Sequence, residues 1–266
     1  MDAVQILGYL GALSVGVVLG LVGSGGSIIT IPILTYLFHM SPITTTAYSL
    51  FVVGTSASVG AVNKLKKGLV DFKIAVVFAI PAFISVYIVR KYLLPIIPFE
   101  IVTINDFVIT RDMGIMVFFA IIMLCSSISM IWKRELSTNI NVFSGNNFPL
   151  LILAGIVIGI LTGIVGIGGG FLIIPTLVLL LKLPMKKAVA TSLFIIAIKS
   201  IIGFIGDLDN VEINWHFLLR FTIISILGIF LGIYLSSFIK GEKLKKYFGW
   251  MVLLVSFGIL FKELFA

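Results

Sequence analysis

The chain has 266 residues, of which 60% are apolar and only 11% are charged, and its mean hydropathy is +1.23. Soluble domains carry roughly a quarter charged residues, so this chain has too little polar sequence to cover a water-facing surface. These values exclude a soluble enzyme and indicate a polytopic membrane protein.

The net charge and the scarcity of metal-binding residues narrow the function further. A charge of +8 would suggest a nucleic-acid partner in a soluble protein, but in a membrane protein it indicates basic cytoplasmic loops, so we expect no nucleic acid. One cysteine and two histidines are too few for a disulfide framework, a cysteine-rich zinc site or an iron–sulfur cluster. We therefore expect no metal site and no cofactor.

Apolar runs follow one another along the chain. They cover residues 4–38, 43–62, 72–89, 113–132, 148–181, 188–205, 215–239 and 248–265. Most of them have the length of a single membrane-spanning helix, which needs about 20 residues. The first and the fifth are nearly twice as long, so they cannot be simple spans.

Glycines interrupt both long runs, at Gly23-Ser24-Gly25-Gly26 and at Gly166-Ile167-Gly168-Gly169-Gly170. The limbs that follow, residues 27–38 and 171–181, would rise only about 18 Å as helices, whereas the hydrocarbon core is roughly 30 Å thick. Each limb carries a proline, Pro32 or Pro175, near its first turns, where proline costs least. The pattern predicts two half-helices.

An internal repeat relates the two broken runs. A shift of 143 residues pairs Gly16 with Gly159, Gly20 with Gly163, Gly23 with Gly166, Gly25 with Gly168, Gly26 with Gly169, Pro32 with Pro175, and Ser49-Leu50-Phe51 with Ser192-Leu193-Phe194. The chain is therefore predicted to contain two homologous halves. We place the first transmembrane repeat at 1–133, a polar cytoplasmic linker at 134–147 and the second transmembrane repeat at 148–266.

Loop charges predict how the halves are oriented, because cytoplasmic loops collect lysine and arginine. The basic loops are 64–73, 133–134, 182–187 and 240–246, and the loops poor in basic residues are 39–42, 100–112 and 207–212. The 143-residue shift places 64–73 on 207–212 and 39–42 on 182–187, so each basic loop falls on a poor one. The halves are therefore predicted to be inverted, with Arg90 and Lys91 as a misfit at an outer edge.

These features together predict the fold. Inverted halves need an odd number of full crossings each, once the broken run is counted as a hairpin that enters and leaves on one side. We predict an all-α polytopic membrane protein of two inverted repeats, each a glycine-tipped broken-helix hairpin plus three transmembrane helices. The protein would lie in the cell membrane as a multi-pass protein, with both termini extracytoplasmic.

The glycine tips are candidate binding elements, because their backbone N–H groups are exposed at the start of a half-helix. A helix N-terminus carries about half a positive charge, so two converging tips can hold a small anion. The candidate residues are Ser24, Gly25, Gly26, Ser27, Gly168, Gly169 and Gly170. The alternative is that glycine only permits close helix packing, which is the role assigned to Gly16, Gly20, Gly159 and Gly163.

Lys199 is the one charged residue deep within a predicted span. A central lysine costs about 2.5–3.5 kcal/mol on insertion scales, so something must offset that cost. The residue is predicted to meet an anionic substrate or, alternatively, to donate to carbonyls at the hairpin tip. Its repeat equivalent is Ser56, so the site would be symmetric in backbone but not in charge. Ser49 and Ser192 offer hydroxyls, as ligands or as ordinary interhelical hydrogen bonds.

No aspartate or glutamate falls in the interior of a predicted span. A proton or sodium relay through a buried carboxylate is therefore not expected, and an intramembrane aspartyl protease is disfavoured. A rhomboid-type serine site is disfavoured as well, because Val22 stands where a Gly-x-Ser-Gly motif around Ser24 needs glycine.

The glycine block itself is duplicated as Gly-x-Gly-Gly-[Gly/Ser]-x-x-x-x-Pro, from Gly23 to Pro32 and from Gly166 to Pro175, and each copy is followed by Ala-x-Ser-Leu-Phe. In these motifs the chain resembles the sulfite exporter TauE/SafE family of membrane permeases, over nearly its whole length. The resemblance implies movement of sulfur-containing anions such as sulfite, sulfoacetate or related organosulfonates across the cytoplasmic membrane of prokaryotes. The resemblance does not specify which of these anions this chain moves.

Residues and resemblance together predict an integral membrane transporter of small sulfur-containing anions. The substrate would be held near the midplane by half-helix N-termini beside Lys199, while one half rocks against the other. An anion channel is the alternative, and a membrane-embedded enzyme is a further one for which no catalytic dyad is found. The expected partners are the anion and the lipid bilayer.

Overall fold

Helices make up most of the fold, which is described from a computed structural model for residues 3–23, 26–104, 107–132, 148–181, 183–236, 238 and 241–265. In chain order the elements are α1 (Ala3–Val22), α2 (Gly26–Pro32), a first π-helical turn (Ile33–Leu37), α3 (Pro42–Lys66), α4 (Phe72–Ile88), a second π-helical turn (Val89–Leu93), α5 (Leu94–Ile96), β1 (Glu100–Ile104), β2 (Phe107–Thr110), α6 (Arg111–Trp132), α7 (Phe148–Val165), α8 (Gly170–Leu181), α9 (Met185–Asp207), α10 (Trp215–Ser236) and α11 (Gly241–Phe265). The predicted linker, 134–147, lies outside the described residues, so the division into two repeats stays a prediction.

Eight helices in the described part of the chain are long and apolar enough to cross a membrane, which confirms the prediction of an all-α polytopic membrane protein. Two of them differ from the rest in burial. The apolar windows of α3 and α9 are 72% and 67% buried, whereas those of the other six are at most 39% buried. Helices α3 and α9 therefore form the centre, and the surrounding helices direct large apolar side chains outward.

Both predicted half-helices are present as short helices. The first comprises α2 and the π-helical turn after it, and the second is α8, with Pro32 and Pro175 inside the helical segments. The sequence did not predict the π-helical turn at Ile33–Leu37. It begins directly after Pro32, and proline removes one backbone donor and disturbs the regular i to i−4 pattern.

The chain reversal of the first hairpin lies beside the middle of α3. We call residues 23–27, of which the structure describes 23, 26 and 27, the first glycine turn, and residues 166–170 the second glycine turn. A Cβ added at Gly11 would lie 2.6 Å from Ile33, so α2 and its π-helical extension run back along α1. A Cβ at Gly26 would lie 3.4 Å from Val53, near the middle of the 25-residue α3.

The central helices α3 and α9 pack antiparallel. A Cβ at Gly54 would lie 3.1 Å from Ile201, and one at Gly203 would lie 3.2 Å from Leu50, so residue numbers rise along one helix and fall along the other. Small residues at these crossings let the two backbones approach closely. The same two helices are superposed by the 143-residue shift.

The glycines assigned to packing lie where two other helix pairs touch. Gly16 and Gly20 of α1 face the backbone of α10, and Gly159 and Gly163 of α7 face α4. A Cβ at Gly159 would lie 2.6 Å from the carbonyl oxygen of Ala82 and 2.8 Å from the Cβ of Ser85. These contacts confirm the packing assignment, because a methyl group at such positions has no space.

A two-stranded antiparallel β-hairpin, β1 with β2, lies between α5 and α6, where the sequence analysis predicts only a loop. Ile104 pairs with Phe107 next to the connection. Both strands are rich in β-branched residues, which favour extended backbone, and Asn-Asp at 105–106 is typical of a turn. The hairpin is a small addition to an otherwise helical fold.

We predict that Gly159→Ala lowers the Tm of the detergent-solubilised protein, because the new methyl group overlaps the α4 backbone. The free energy of unfolding should fall by about 1–3 kcal/mol. The control is Gly258→Ala in α11, where an added Cβ meets nothing within 4 Å and alanine is the better helix former. Thermal unfolding measures both. Equal Tm values for the two variants would contradict the packing assignment.

Candidate functional site

The two glycine turns touch each other beside the α3–α9 crossing. The backbone N–H of Gly168 donates to the hydroxyl of Ser27 at 2.9 Å, and both residues are buried. A Cβ at Gly168 would lie 2.6 Å from Val53 and 3.0 Å from Ile196. Val53 and Ile196 are equivalent under the 143-residue shift, so the turns meet at matching points of α3 and α9.

The turn glycines are required by their backbone conformation. Gly23, Gly166 and Gly169 have φ values of 69°, 70° and 75°, in the left-handed region that other residues seldom adopt. Gly170 then starts α8, and Leu172 and Ile173 both donate their N–H groups to the carbonyl of Gly169, at 3.0 and 2.9 Å. The second glycine turn is therefore a well-bonded entry to a half-helix of about three turns.

Of the predicted tip residues, the structure places Gly26, Ser27, Gly168, Gly169 and Gly170 in buried positions where the two turns meet. Ser24 and Gly25 lie outside the described residues. The Gly168 N–H, one of the candidate anion donors, is engaged by Ser27 rather than open.

Lys199 lies against the second glycine turn. Its side chain is fully buried in α9, and a Cβ at Gly169 would lie only 2.6 Å from its Nζ. Nζ donates to Oγ1 of Thr162 at 2.7 Å, and Thr162 donates in turn to the carbonyl of Ile158 at 2.6 Å. The recorded partner is thus a hydroxyl of α7, which the sequence analysis did not single out, and not a tip carbonyl.

The hydroxyls of Ser49 and Ser192 have unequal surroundings. Ser192 donates to the carbonyl of Gly23 at 3.3 Å and to that of Val189 at 2.9 Å, so it fastens α9 to the first glycine turn. The Ser49 hydroxyl is buried and has no hydrogen-bond partner among the described residues. Ser192 therefore makes ordinary hydrogen bonds to backbone carbonyls, close to its alternative role. The Ser49 hydroxyl makes none among the described residues.

A buried ion pair that the sequence analysis missed lies beside the second glycine turn. Nη1 of Arg90, in the second π-helical turn, lies 3.1 Å from a carboxylate oxygen of Asp207, and the side chains are 0% and 2% exposed. Nη1 also donates to Oγ1 of Thr46 at 3.0 Å. Asp207 lies beyond the predicted span 188–205, as the last residue of α9, and the sequence analysis did not foresee that its carboxylate is buried there.

The sequence did contain one indication of this pair. Arg90 and Lys91 are basic residues at an edge that the loop charges predict to be extracytoplasmic, where few basic residues are expected. Lys91 is partly exposed and pairs with Asp209 at 3.4 Å, as a surface residue would. Arg90 points inward instead, and a Cβ at Gly166 would collide with its Nη2. An arginine that breaks the loop-charge rule can therefore be a buried one.

Every buried charged side chain in the described part of the chain either lies against the second glycine turn or forms an ion pair with a side chain that does. The buried charged side chains are Arg90, Lys199 and Asp207, which together carry one net positive charge when all are ionised. The equivalents of the two cations in the other half are Ile233 and Ser56, which are neutral. A buried cation without a counter-charge is costly.

A family model described as sulfite exporter TauE/SafE matches residues 8–259. The chain belongs to this family.

Three relatives of the TauE/SafE chain are each named a probable membrane transporter protein. One from Methanocaldococcus jannaschii is 41% identical over 107 residues, which cover 38% of this chain and 40% of that protein. One from Xylella fastidiosa strain Temecula1 is 24% identical over 94% of this chain and 92% of its own length. YunE of Bacillus subtilis is 27% identical over 80% of this chain and 81% of its own length. No solved structure matches the chain.

Family and helices agree on the general function. This TauE/SafE protein is a multi-pass membrane transporter, with eight candidate spans in its described residues.

We predict that Lys199→Met raises the Tm of the TauE/SafE transporter by a few degrees, because a buried cation bonded only to a neutral hydroxyl costs stability. The free energy of unfolding should rise by about 1–2 kcal/mol. Thr162 retains its bond to the Ile158 carbonyl in this variant. The matched control is Lys67→Met at an exposed lysine, with an unchanged Tm. A Tm well below that of the wild type would show instead that Lys199 stabilises the fold.

Proposed function

We propose that this transporter carries small sulfur-containing anions, such as sulfite or organosulfonates, across the cell membrane. The observation that carries the proposal is the fully buried Lys199, whose Nζ lies against Gly169 and has no ion-pair partner among the described residues. The family description adds sulfite as the expected type of solute.

The argument for an anion is electrostatic. Removing a cation from water costs several kcal/mol even after relaxation, and a single neutral hydroxyl, that of Thr162, offsets only part of this cost. A bound anion would supply the missing counter-charge. It would also accept hydrogen bonds from backbone N–H groups at the start of α8, where the helix dipole favours negative charge.

We further propose that residues 1–133 and 148–266 are inverted repeats that rock against each other. The antiparallel packing of α3 on α9 supports this, because repeats of inverted topology place equivalent helices in opposite directions. Equivalent residues also make equivalent contacts: Gly23 faces Val189, and Gly166 faces Thr46, which is the counterpart of Val189.

The proposed topology places both termini on the extracytoplasmic face. Tyr36 donates to the carboxylate of Glu263 at 2.8 Å, so the end of α11 lies beside the end of the first half-helix. The N–H of Asn214 donates to the Tyr48 hydroxyl at 2.6 Å, which joins the 207–214 segment to the first half of α3. The scarcity of lysine and arginine in these loops supports an external position.

In proteoliposomes containing the purified protein, we expect saturable flux of sulfite, thiosulfate or sulfoacetate, with mutual competition and little flux of chloride. Saturation indicates a carrier, whereas flux that rises linearly with concentration would indicate the alternative, an anion channel. Movement of cations or neutral solutes only would contradict the proposal.

The site is tested in the same assay by Lys199→Ala combined with Ser24→Ala. We expect at least a tenfold loss of flux, because both the buried charge and a predicted tip hydroxyl are removed. The matched control is Lys67→Ala with Ser14→Ala, at exposed positions, and it should retain wild-type flux. Retained flux in the first double variant would argue against this site.

Sidedness can be measured with single cysteines, since Cys125 is the only native one. In a Cys125→Ser background, we expect Asp209→Cys to react with a membrane-impermeant maleimide in intact cells. Lys67→Cys should react only after permeabilisation. The reverse pattern would overturn the proposed orientation.

A further inference from the structure

Only one of the three nitrogens of the Arg90 guanidinium has hydrogen-bond partners among the described residues. Its Nη1 donates to Thr46 and pairs with Asp207, at 3.0 and 3.1 Å. Its Nε and Nη2 are both buried and have no hydrogen-bond partner among the described residues. Nη2 lies at the second glycine turn, where a Cβ on Gly166 would meet it.

The unused atoms form one edge of the guanidinium group. Nε and Nη2 lie side by side and can donate two parallel hydrogen bonds, which is the geometry that binds two oxygens of a carboxylate, sulfonate or phosphate. A buried donor without an acceptor is destabilising, and more so when it is charged. A purely structural ion pair with Asp207 would gain from using this edge, yet the carboxylate contacts Nη1 instead.

The surroundings of this edge suit an anion with several oxygens. The unpartnered hydroxyl of Ser49 and the ammonium of Lys199 belong to the helices on either side of the second glycine turn, α3 and α9. Arg90 itself lies in a π-helical turn, an irregularity that occurs often at functional sites. The second π-helical turn and α9 therefore each bring a positively charged side chain to the second glycine turn.

We propose that Arg90 is a second anion-binding residue, which holds two oxygens of an oxyanion through Nε and Nη2 while Asp207 retains Nη1. The inference rests on the proposed function and deepens it, because it names the class of substrate: an anion with at least two oxygens on one centre, contacted by Arg90 on one side and by Lys199 on the other. Asp207 orients the guanidinium and balances part of its charge.

The test compares neutral replacements of two ion pairs. Arg90→Gln with Asp207→Asn removes the buried pair without leaving an unpaired charge, and Lys91→Gln with Asp209→Asn makes the same charge change in the neighbouring exposed pair. Sulfite and sulfoacetate binding to the purified proteins are measured by calorimetry, with sulfite under nitrogen. We expect at least a tenfold weaker Kd for the first double variant and a change below twofold for the second.

A conservative variant separates charge from geometry. Arg90→Lys keeps a cation opposite Asp207 but cannot donate two parallel hydrogen bonds. We expect its Tm to stay near that of the wild type while its Kd for both anions weakens about fivefold or more. This variant also serves if the neutral double variant does not fold.

The outcomes distinguish this inference from the proposed function. A wild type that binds sulfite or sulfoacetate, together with an Arg90→Gln and Asp207→Asn variant of unchanged affinity, would overturn the role of Arg90 and leave the transport proposal in place. Unchanged affinity in Arg90→Lys would overturn it as well. If the wild type binds neither anion, the proposed function fails, and the inference fails with it.

Discussion

A positive charge held away from water, without an acid beside it, is the condition around which the centre of this protein is arranged. The ammonium of Lys199 fits only because Gly169 has no Cβ, and Gly169 can hold its φ of 75° for the same reason. The glycine thus permits both the reversal of the chain and the close approach of the cation. Gly166 does the same for the guanidinium of Arg90. Backbone shape and site charge are consequences of the same missing side chains.

The two halves use similar backbones for different purposes. Ser56, the counterpart of Lys199, makes a neutral hydrogen bond to Ser225 at 3.1 Å. The first glycine turn is fastened by Ser192, and its Ser27 hydroxyl accepts the N–H of Gly168. The first half therefore supports the second glycine turn, whereas the second half and Arg90 supply the charge.

Features that depend on chain-local patterns could be predicted from the sequence. Apolar run lengths gave the helices, the glycine and proline spacing gave the half-helices, and Lys199 was visible because nothing else in its run is charged. The Arg90–Asp207 pair could not be found in this way, since its partners are 117 residues apart and each lies at the edge of an apolar run. At such an edge, hydropathy does not distinguish a side chain that extends to the interface from one that turns inward. Thr162 was missed for a related reason, because a lone hydroxyl in an apolar helix usually bonds its own backbone.

The charge balance connects binding to movement under the proposed function. When Arg90, Lys199 and Asp207 are all ionised, these buried side chains carry one net positive charge, and a bound monoanion would bring the sum to zero. The occluded state is therefore favoured when the anion is present and disfavoured when it is absent, because only the loaded site avoids an uncompensated buried charge. A ligand shifts a conformational equilibrium only by its difference in affinity for the two states, and this electrostatic difference supplies one. Two rocking halves that close preferentially around an anion behave as a carrier, whereas a channel requires a site that remains open to water on both sides at once.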